Sequence, residues 1–76
     1  MSDVEPTALT WIERYAAALA VDPPPVADVE TLLALAAHAA HASHRQAAPV
    51  ACWLAATAGL PVDEALARAR QLDEEG

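Results

Sequence analysis

Phenylalanine and lysine are missing from this 76-residue chain, cysteine occurs once and glycine twice. Each absence excludes something. One cysteine forms no internal disulfide, so packing alone has to stabilise a domain near the lower size limit for a single core. Two glycines leave no phosphate-cradling loop, and the sequence shows no strand pattern and no internal repeat. Four arginines against eleven acidic residues give a net charge of −7. That balance repels phosphate backbones and anionic lipid headgroups, so neither nucleic acid nor a membrane surface is an expected partner. The opening Met-Ser-Asp-Val-Glu has no basic secretory segment, and no apolar run reaches membrane-spanning length before a His or Thr interrupts it. A soluble, cytoplasmic protein is the expectation.

What is present is alanine, 21 residues of it. Small side chains let helices approach closely but leave only Trp11, Trp53, Tyr15 and some Leu, Ile and Val to fill an interior. The expectation is an all-α, compact four-helix domain over residues 1–76, alanine-rich with short loops.

Apolar residues at Ala8, Ile12, Tyr15, Ala16 and Leu19 recur at three and four, predicting a helix over residues 7–21 with Thr7 as N-cap. Asp22-Pro23-Pro24-Pro25 ends it, because proline removes backbone donors and biases the preceding residue towards extended geometry. A second helix over residues 28–43 follows, capped by Asp28, with Val29, Leu32, Leu33, Ala36, Ala39 and Ala40 as its apolar face. Pro49 suits the first turn of a third helix, 49–58, with Val50, Trp53, Leu54 and Thr57 turned inward and Gly59 as its stop. Trp53 is expected in the core against the first two helices. Ala65, Leu66, Ala69 and Leu72 give a fourth helix over residues 62–73, whose acidic end opposes the helix dipole.

All three histidines and the cysteine fall between His38 and Trp53. Histidines at 38, 41 and 44 fan across a regular helix, the outer two about 9 Å apart along its axis, so one metal ion does not reach all three. His38 lies opposite the apolar face and reads as solvated. A second reading is a small metal- or cofactor-binding protein using His41, His44 and Cys52, although the spacing matches neither a zinc finger nor a metalloprotease helix. Cys52 beside a histidine has no orienting group or oxyanion donor near it in sequence, and no catalytic residue and no cofactor are expected. His41 and Arg45, four apart, close the second helix, where positive groups can bond free carbonyls. With Gln46 and Pro49 they form a joint that can act as a structural clamp or a docking spot. Leu35, about 100° off the apolar face, is expected to be exposed and to mark an association surface for a protein partner or a second copy.

Leu35-Ala36, Ala39-Ala40-His41, Arg45, Ala47-Ala48-Pro49-Val50, Trp53-Leu54 and Ala58-Gly59 together resemble a small uncharacterised actinobacterial helical domain. It occurs alone or fused to the C-terminal end of molybdenum cofactor guanylyltransferase-like (MobA-like) proteins. The likeness runs from Trp11 to Leu72 and is strongest over Leu35 to Gly59. His41, Arg45 and Pro49 match recurring positions, whereas His38, His44 and Cys52 do not. Gln46 stands where the family usually has Pro, and Ala51-Cys52 where it favours two Thr. The resemblance implies an accessory, non-catalytic role around molybdopterin enzymes or their maturation factors.

Overall fold

The computed structural model describes residues 4–74. They form four helices in the order α1 (Pro6–Ala18), α2 (Val26–Ala42), α3 (Ala47–Ala58) and α4 (Val62–Glu74), with no strand among the described residues. The all-α, four-helix expectation is met. Contacts divide the chain into two compact units, Met1–Glu30 and Thr31–Gly76.

In the first unit, α1 starts one residue before the expected Thr7. Pro6 occupies the first turn, where its missing N–H and preset φ cost nothing, and no side chain caps the end. Thr10 Oγ1 instead donates back to the Pro6 carbonyl at 3.1 Å. The helix stops at Ala18, three residues short of Val21. Ala20 enters the left-handed region at φ 59°, Ala20 N donates to the Ala17 carbonyl and Val21 N to that of Ala16. This pair of bonds is a Schellman closure, with alanine in the place where glycine is usual. Ala16, Val29 and Val4 are the buried apolar residues here. Ile12 is half-buried, but Tyr15 and Leu19, expected on the inner stripe, are exposed.

α2 begins at Val26, directly after the prolines. Asp28 and Val29 donate their N–H groups to the Pro25 carbonyl at 2.9 and 3.0 Å. Asp28 therefore sits in the first turn, where its charge favours the positive helix end, and is not the N-cap. α3 starts at Ala47, so Pro49 is its third residue, still among the positions whose N–H lacks an intrahelical acceptor. Gly59 closes α3 at φ 73°, its N–H on the Ala56 carbonyl, as expected of a helix stop. Asp63 and Glu64 open α4, and Glu64 pairs with Arg68 at 3.2 Å one turn on.

Two burial expectations are overturned in the second unit. Leu35 is the most buried residue, 4% exposed, and Trp53 is 65% exposed. On α2 the expected face is kept at Val29, Leu32, Ala36, Ala39 and Ala40, all buried or half-buried, but Leu33 turns outward and Leu35 takes the interior place. With alanine on nearly every side, either leucine satisfies the helical period. α3 reverses its expected sense: Ala47, Ala48, Ala51, Cys52 and Ala55 are half-buried, whereas Val50, Trp53 and Leu54 are more than half exposed. Close approach of backbones through alanine explains which side was chosen. α4 buries Leu66 and half-buries Val62, Ala65 and Ala69 as its period predicts, but Leu72 is exposed.

Candidate functional site

The joint between α2 and α3 is a tight turn. Ala47 N donates to the His44 carbonyl at 2.8 Å and Ala48 N to the Arg45 carbonyl at 3.2 Å. His44 Nδ1 accepts from Gln46 N–H at 3.1 Å, filling one of the free donors at the start of α3 with an imidazole in place of a hydroxyl or carboxylate cap. The local histidine clamp is thus His44. His41 lies in the last turn of α2, where charge on the ring suits the helix dipole, but among the described residues neither its side chain nor that of Arg45 makes a hydrogen bond or ion pair. The expected His41–Arg45 clamp is not formed. His41, Arg45, Gln46 and Pro49 all face solvent, whereas Leu35, grouped with them in the sequence reading, is interior.

His38, expected to be solvated, is half-buried. Its Nε2 is shielded from water and faces Asp73 Oδ2 on α4, an ion-pair contact when the ring is protonated. Sequence period alone missed it because its partner is 35 positions on. The pair also gives Asp73 a reason to sit at the negative end of α4. Both residues line a shallow groove with Leu35, Ala39, Ser43, Ala51 and Leu72.

Cys52, on the inner side of α3, directs its thiol at the Leu32 carbonyl, 3.9 Å away. Burial pushes its pKa up, which suppresses the thiolate form needed for nucleophilic or metal-binding chemistry. Among the described residues no group of three or more His, Cys, Asp or Glu side chains could hold a metal ion. His41, His44 and Cys52 are therefore not assembled as a site. The first is free at a helix end, the second is turned onto Gln46, and the third points into α2.

On α1, Trp11 and Tyr15 stack at 5.1 Å between ring centroids and 26° between planes, and with Arg14 they border a shallow concavity. Residues one turn apart on a helix are neighbours, and this local contact accounts for the stacking. No helix is long and apolar enough to cross a membrane among the described residues.

A four-helix domain with an exposed polar joint and a half-buried, unactivated thiol is the class of protein this geometry defines. The chain matches, over residues 3–75, the family described as Domain of unknown function (DUF6457), and it belongs to that family. No curated protein and no solved structure matches it.

Proposed function

We propose that this chain is a non-catalytic accessory domain that binds a larger protein through the α2–α3 joint. The observation that carries the reading is the exposure of His41, Arg45, Gln46 and Pro49 at one turn, the Arg45 guanidinium having no partner among the described residues of a chain of net charge −7. An arginine without an internal partner presents a planar, always charged donor fork, suited to a carboxylate or backbone carbonyl on another surface. The likeness to domains fused to MobA-like proteins supports a partner class: a molybdopterin enzyme or one of its maturation or insertion factors. The domain itself requires no cofactor in this reading, and it acts in the cytoplasm, where those proteins work.

The test is co-purification from the source cells with the tagged full chain, compared with Arg45→Glu and His41→Ala, the bound proteins being identified by mass spectrometry. Recovery of a molybdenum-cofactor protein by the parent and its loss with Arg45→Glu, at unchanged helicity, supports the reading. Equal recovery by the parent and both variants removes the joint from the interface, and the absence of any such protein removes the partner class.

A further inference from the structure

We draw no further inference here: the strongest candidate, the shallow groove lined by Leu35, Ala51 and Leu72 of α2, α3 and α4 together with the His38–Asp73 pair, is a mostly apolar concavity, and nothing in the structure shows what covers it.

Discussion

Ala20 holds a left-handed backbone at φ 59° without being glycine. For an L residue with a Cβ that conformation costs about 1 to 2 kcal/mol, and the two backbone bonds of the Schellman closure hold it there. Glycine relieves the cost but adds freedom to the unfolded chain, worth about 0.5 to 1 kcal/mol in the other direction. Ala20→Gly is therefore expected to stabilise the protein by up to about 1 kcal/mol, read as a higher denaturant midpoint at unchanged slope. A lower midpoint would show that the unfolded-chain entropy is the larger effect. Gly59→Ala, with open space around the new Cβ, runs the same comparison in reverse.

Cys52 gives a pH-dependent reading at the same scale. Burial raises its pKa, so at neutral pH the folded chain should be alkylated by iodoacetamide more slowly than a free thiol peptide, with the rate rising at higher pH than it does for the peptide. The sign for stability follows from the same shift. The unfolded chain loses the thiol proton first, so the contribution is present below the ordinary thiol range and is lost as pH rises towards the raised folded value. An alkylation rate equal to the peptide's would place the thiol in water. His38 and Asp73, both partly exposed, should show a coupling of about 0.5 to 1 kcal/mol in a cycle of His38→Ala and Asp73→Asn. Additive effects would mean that the contact contributes nothing in solution.

The four helices are legible because proline, glycine and the acidic first turns punctuate the chain, and these act locally. Which face of each helix turns inward is a different matter. α4 mixes charge with alanine and leucine, and its buried side is read correctly apart from Leu72. α2 and α3 are so uniformly apolar that period alone leaves the choice open, and contacts distant in sequence decide it: Cys52 with Leu32, and His38 with Asp73. The joint was legible as a place and less so in its bonds, because the clamp is an imidazole accepting a backbone N–H two residues on. This inversion predicts an unequal pair of mutants. Leu35→Ala should cost about 2 to 5 kcal/mol, as deletion of a buried leucine does, enough to unfold much of so small a protein. Trp53→Ala should cost less than about 1 kcal/mol. Equal losses would mean that α3 turns its large side chains inward in solution.

For the molecule as a whole the dominant long-range quantity is charge. Eleven acidic residues face four arginines in 76 residues, and no polar or charged side chain is fully buried among the described residues. The charges lie at the surface, where salt reaches them. Salt has two opposed effects. It weakens exposed attractive pairs such as Glu64–Arg68, each worth about 0.2 to 1 kcal/mol, and it weakens repulsion among the unmatched carboxylates. Only two ion pairs occur among the described residues, against an excess of seven negative charges, so repulsion is the larger contribution. Screening shortens from about 10 Å at 0.1 M to about 3 Å at 1 M, which removes interactions between neighbouring helix ends. The melting temperature should therefore rise by several degrees with sodium chloride. Neutralising the acidic end of α4 with Glu74→Gln should reproduce part of that rise at low salt and leave less for salt to add. A melting temperature that falls with salt would show that the few attractive pairs outweigh the net repulsion.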